Sequence, residues 1–175
     1  MIRRPPRSTQ SRASAASDVY KRQCNYWLFK SEPGSYSYDD LLEDEVAEWD
    51  GVRNFQARNF LRDSIKHGDH VLFYHSNAKP TAVIGTALVV REGYPDYTAW
   101  QEHSDHPDPK STADNPIWYM VDIKPLEKFS NHVSLQEIRN NPLLEGMLLL
   151  KRGMRLSVQP VTKEEFNIIC GMGRS

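Results

Sequence analysis

Apolar and polar positions fall along this chain in short blocks, each with the periodicity of one kind of element. Residues 26–29, the run YWLF, are apolar throughout and close on Ser-Glu-Pro-Gly, the pattern of a buried strand entering a turn. Ser37 is placed to cap a short helix over 38–42. Ala57, Phe60, Leu61 and Ile65 share one helical stripe, which predicts a helix over 54–66 stopped at His67-Gly68. Residues 69–76 and 81–94 are strand-like. The second is rich in β-branched residues and interrupted by Gly85, a place for a bulge or a close backbone approach. Residues 95–116 are polar and punctuated by proline, and loops of that length are usually functional or disordered. Residues 117–129 set Trp118, Met120 and Asp122 against Ile117, Tyr119, Val121 and Ile123, a strand alternation. Ser134 caps a brief helix ending at Arg139, residues 155–161 form a further strand, and Thr162 with Glu165 makes a capping box for the last helix. Strands interleaved with short helices, without the spacing of βαβ units, predict an α+β fold built on a small mixed β-barrel.

The first 23 residues break the pattern. MIRRPPRSTQSRASAASDVYKRQ has almost no apolar periodicity and lacks the hydrophobic stretch of a secretory signal. A disordered basic arm or a transit peptide is one account of it. It better resembles translated sequencing-adapter sequence, so residues 1–23 are set aside and 24–175 are expected to form one domain. On the same account the authentic start falls just before Asn25, and residues 173–175 are a similar edge. Setting the segment aside changes the electrostatics. It holds six basic residues and one acid, Asp18, of the chain's 22 and 23, leaving 16 basic and 22 acidic side chains and a net charge of −6. A domain of that sign is a poor non-specific coat for DNA, so any nucleic-acid role must rest on a local site. Cys24 and Cys170 do not make a disulfide framework, and Cys170 reads as a small core residue in a reducing compartment. No apolar run approaches the ~20 residues that span a bilayer, which describes a soluble, intracellular protein.

Candidate chemistry is sparse. His67, His70 and His75, and separately His103, Asp105 and His106, lack metal-motif spacing and a cysteine partner, so they read as turn or surface residues. There is no GxSxG, no CxxC pair and no glycine-rich phosphate loop. Asp39, Asp40, Glu43, Asp44, Glu45 and Glu48 read as a solvated helix face. Nothing here demands catalysis, a cofactor or a metal. The tryptophans are more informative, because Trp27, Trp49 and Trp118 each lie near hydrogen-bonding groups. A flat heteroaromatic base is recognised by a stacking wall with donors and acceptors at its edge. Tryptophans that merely build core are the competing account, and composition leaves both open.

Five blocks in order carry a resemblance: YWLFKSEP, WDGVRNFQARNFLR, VLFYHSN, the YPD preceding DPKSTADNPIWYMVDI, and RLSVQPVTKEEF. Together they resemble the EVE domain family over nearly all of residues 25–170. The resemblance implies a PUA-like fold, a small mixed β-barrel surrounded by short helices and related in shape to YTH and ASCH domains. It implies a non-catalytic module holding a modified base, of the 5-methylcytosine or 5-hydroxymethylcytosine type, in an aromatic pocket, with DNA favoured over RNA. Carried over position by position, the pocket would use Trp27, Lys30 and Ser31 from the first block. It would add Trp49, Asp50, Val52, Arg53, Asn54 and Ala57 from the second, Tyr74, His75 and Ser76 from the third, and Trp118 from the fourth.

Several of these residues carry two readings. Gly51 allows a sharp turn, so that Trp49 offers a face while Asp50 or Asn54 reaches the base edge; alternatively Asn54 only caps the helix. Arg53 either receives a phosphate at the helix start or pairs with Asp50 or Glu32, and Lys30 has the same ambiguity. Ala57 either packs the helix or leaves room for a base. A buried methyl is worth about 0.8 kcal/mol, so a 5-methyl group alone supports only few-fold selectivity. The rivals are a modified-RNA binder of the same fold, a nucleoside or nucleotide sensor, and a metal-dependent hydrolase using His103, Asp105 and His106. The expected location is cytoplasmic, with or without association with the nucleoid, and the oligomeric state is not legible.

Overall fold

The computed structural model describes residues 25–174. The N-terminal segment set aside above, Cys24 and Ser175 lie outside the described residues. Six strands, β1 (Tyr26–Ser31), β2 (Ala47–Glu48), β3 (His70–His75), β4 (Ala82–Pro95), β5 (Tyr119–Ser134) and β6 (Val158–Val161), form one mixed sheet in the order β2-β5-β4-β3-β1-β6. β1 and β3 run parallel, and the other neighbours are antiparallel. Four helices join them: α1 (Tyr38–Asp44), α2 (Phe55–Asn59), α3 (Leu135–Arg139) and α4 (Lys163–Arg174).

The middle residues of the two parallel strands, 27–29 of β1 and 71–74 of β3, are apolar because both faces are covered there. Trp27, Phe29, Val71 and Phe73 face a core shared with Leu41 of α1, Ala57 of α2 and Leu61. Leu28, Leu72 and Tyr74 face a second core with Ile138 of α3 and Phe166, Ile169 and Cys170 of α4. Cys170 is buried and free, and burial pushes its thiol up to about 11. Among the described residues no helix is long and apolar enough to cross a membrane.

The α+β class is as expected, and the hydrogen-bonded pairing is that of an open sheet with β2 and β6 at its edges. The long strands β4 and β5 change register four times along their ladder, and such bulges bend and twist a strand. Gly85 meets both expectations made for it. It lies at one of these shifts, and a Cβ there would strike the Glu127 carbonyl and the Tyr38 ring.

The helix expected over 54–66 divides. After α2 the chain widens into a π-helical turn, Phe60–Ser64, in which the Ile65 amide donates to the Phe60 carbonyl at 2.9 Å. The wide turn presses against β4 at Gly93, where a Cβ would meet the Leu61 carbonyl, so the helix is shaped by its neighbour. The acidic run is not one helix face. α1 ends at Asp44, Glu45 follows with φ +68°, and Glu48 belongs to the short edge strand β2. The caps expected at Ser134 and Thr162 are present as reciprocal boxes with Glu137 and Glu165.

Candidate nucleic-acid interface

β2 leads directly into the site. The Trp49 amide donates to the Val121 carbonyl at 2.8 Å, which carries the extended chain one residue past the ladder. Gly51 then turns it with φ +77°, and a Cβ there would lie 2.8 Å from the His106 ring, so two reasons require glycine. Three residues on, Asn54 accepts from the Ala57 amide at 3.0 Å and starts α2. This turn borders a cleft of about 1000 Å³. One wall is the end of β1 and the segment after it, Lys30, Ser31, Glu32 and Tyr36. The other is Glu48 to Arg53, with Asp105 and His106 arriving from the long loop.

Trp49 closes the floor. It is only 8% exposed, its ring 5.2 Å from Phe29, 5.5 Å from Phe73 and 6.3 Å from the half-buried Tyr36. The Tyr36 hydroxyl donates to Asp44 at 2.9 Å, and the Ser31 hydroxyl donates to the Tyr36 carbonyl at 2.5 Å, so this wall is held from both ends. Among the described residues the Lys30 ammonium has no ion-pair partner, and burial holds its pKa below the ordinary lysine value. Burial raises the Asp50 carboxyl; His106, 4.0 Å away, opposes that shift, and Asp96 adds to it. At the rim Tyr97 donates to Glu48, a bond that pushes its phenol up to about 12.

Asp96 organises the opposite wall. Its fully buried carboxylate accepts from the Gly51 amide and the Arg53 guanidinium, each at 2.9 Å, and from the Thr98 amide and hydroxyl. Burial alone would raise its pKa, but these donors outweigh it and hold the carboxyl below the usual range. Arg53 also donates to the His106 carbonyl at 2.5 Å, which ties the turn to the long loop. That loop is further pinned where Trp118 donates to Asp108 and the Ile117 amide donates to Ser111.

A family model described as EVE domain matches residues 25–172. The chain belongs to the EVE domain family. It is similar to human thymocyte nuclear protein 1, 37% identical over 94% of this chain and 81% of that one. Among solved structures it is similar to a hypothetical protein from Leishmania major, with TM-score 0.82 and 43% identity over 86% of this chain and 95% of that one. It is also similar to the human THYN1 protein in complex with 5-methylcytosine-containing DNA, with TM-score 0.79 and 37% identity over 86% and 98%.

In this EVE domain the residues expected at the pocket separate into two groups. Lys30, Ser31, Trp49, Asp50, Val52 and Arg53 line the cleft. Trp27 lies in the core, donating to Asp69 at 3.0 Å with Phe60 5.3 Å away. Asn54 is exposed at the cap, and Ala57 is fully buried under α2. Tyr74 faces the second core. His75 accepts from the first amide of α1 at 3.0 Å, and the Ser76 amide donates to Ser31. Trp118 is buried beside the cleft with its ring 4.9 Å from Phe55. Arg53 pairs with Asp96 and not with Asp50 or Glu32.

Sequence reasoning missed Tyr36, Glu48, Asp96 and the wall made by Asp105 and His106. The YPD block was a signal for Asp96, since it carried the resemblance, yet nothing in it named a partner. Of the histidine–aspartate set in the loop, His106 faces Asp50 while His103 is 90% exposed beside Glu102. Among the described residues no three His, Cys, Asp or Glu side chains gather closely enough to hold a metal ion.

Proposed function

We propose that this EVE domain is a non-catalytic module that holds a modified cytosine of DNA in the cleft over Trp49. The observation that carries this is the likeness, over nearly the whole chain, to a THYN1 protein solved in complex with 5-methylcytosine-containing DNA. The cleft chemistry agrees with it. Trp49 and Tyr36 supply aromatic surface, the Asp50 carboxylate is an acceptor for the exocyclic amino group of cytosine, and the unpaired Lys30 is a donor for its carbonyl. Arg53 positions the turn through Asp96 and does not act as a free phosphate clamp. The bent strands β4 and β5 support reading the sheet as the wall of a PUA-like barrel. The cellular setting belonging to this function is the cytoplasm or the nucleoid.

The test is binding to fluorescent oligonucleotides carrying cytosine, 5-methylcytosine, 5-hydroxymethylcytosine or N6-methyladenine, in DNA and in RNA. A 5-methylcytosine preference of roughly four-fold over cytosine is expected from one buried methyl, and a preference for DNA over RNA. Asp50→Ala removes the acceptor and should cost about ten-fold in affinity. Equal binding of unmodified and modified DNA would end the proposal, and tighter binding of modified RNA would redirect it.

A further inference from the structure

We infer that Phe55 stacks on the base next to the one held in the cleft, with Arg58 meeting the phosphate between them. This rests on the function proposed above and extends it to the neighbouring nucleotide. Phe55 opens α2 and is 60% exposed. A lone exposed phenylalanine requires no explanation, but this one is not alone. Its ring lies 4.9 Å from that of Trp118 at 30°, and the Trp118 ring lies 5.5 Å from the guanidinium of Arg53, which lines the cleft. A chain of contacts therefore runs from Arg53 at the cleft through the buried Trp118 ring and reaches solvent at Phe55.

Charge points the same way. The described chain is acidic overall, yet the Arg58 guanidinium lies 5.2 Å from the centre of the Phe55 ring. Arg58 donates to the Ile117 carbonyl at 2.7 Å and to the Asn59 side chain at 2.8 Å, and among the described residues it has no carboxylate partner. One turn on, Arg62 is tied to Asp63 at 2.7 Å, so Arg58 is the cation available at this end. Asp63 acts on Arg58 only at longer range, and an exposed aromatic ring beside an arginine with no carboxylate in ion-pair contact is the combination that binds a base together with its phosphate, because stacking tolerates any base and the guanidinium takes the charge. A base flipped into the cleft leaves its neighbour without a stacking partner on one side, and an apolar ring at that point offsets the loss.

The experiment compares Phe55→Ala, Phe55→Tyr and the unaltered chain on duplexes carrying one 5-methylcytosine, with a normal or an abasic nucleotide on either side of it. Phe55→Ala should weaken binding about ten-fold, the scale of one base–aromatic stack, and leave the ratio of 5-methylcytosine to cytosine affinity unchanged. Phe55→Tyr keeps the ring and should keep the affinity. An abasic neighbour on one side should bring the unaltered chain down to the level of Phe55→Ala. If Phe55→Ala binds like the unaltered chain, or the gap survives abasic neighbours on both sides, the inference is overturned while the cleft reading stands. If the unaltered chain shows no preference for 5-methylcytosine, the cleft reading falls first, and this inference with it.

Discussion

Asp96 has no exposed surface, yet its carboxylate joins the Gly51 turn, the Arg53 guanidinium and the start of the long loop. Removing it leaves the half-buried Arg53 charge without its carboxylate and two amides without acceptors. Asp96→Ala should therefore cost about 3–5 kcal/mol in urea unfolding, the scale for breaking a buried pair from one side. A loss within 0.5 kcal/mol, as on an ordinary surface, would show that the wall stands without it. Asn54 is the contrasting case. It accepts from the Ala57 amide and is exposed at the cap, so Asn54→Ala should cost about 1 kcal/mol of stability. Its 5-methylcytosine to cytosine ratio should match the unaltered chain; a collapsed ratio would place Asn54 at the base edge after all. The capping role of Asn54 was legible in the sequence, because capping is local. Asp96 was legible only as part of a turn, since its partners Gly51 and Arg53 lie 45 and 43 residues away. Core and pocket stayed open for Trp27 in the sequence for the same reason: its indole partner is Asp69, 42 residues on.

At the scale of elements, α1 forms one side of the cleft through Asp44 and is anchored at its other end by a histidine. His75 accepts from the Tyr38 amide, which requires a neutral ring nitrogen, and burial lowers its pKa. His132 and Lys128 act in the same direction, and Asp39 opposes them. A pKa lower in the folded than in the unfolded chain gives stability that is complete above the unfolded value near 6.5 and is lost as pH falls through the folded value. Stability should therefore decline as pH falls from 7.5 to 5. His75→Gln, which can accept without titrating, should flatten part of that decline in urea titrations. Burial also lowers His70, so some acid sensitivity should remain. A slope unchanged by the substitution would remove His75 from the account. The capped helices α3 and α4 were legible because side chain and amide lie three residues apart. The π-helical turn after α2 was not, because it is set by contact with Gly93 on β4.

For the whole molecule, the net charge of −6 outside the first 23 residues bears on the DNA binding proposed above. Few phosphates can be neutralised, so log Kobs against log salt should have a slope of only about −1 to −2 for duplex DNA. A slope near −6 would mean that backbone contacts dominate and that the cleft is secondary. That balance of charge is a property of composition, and the sequence alone determined it. It likewise determined most strands, the capped helices and the burial of the strand at 26–29, because these depend on propensity and periodicity over a few residues. Only the tertiary structure decided that β1 pairs in parallel with β3, that the acidic run breaks into an edge strand, and that six of the thirteen expected residues line one cleft. Those outcomes depend on hydrogen bonds and packing between groups as far apart in the chain as Ala47 and Ile123, held to within a few tenths of an ångström. Local pattern carries no information at that range.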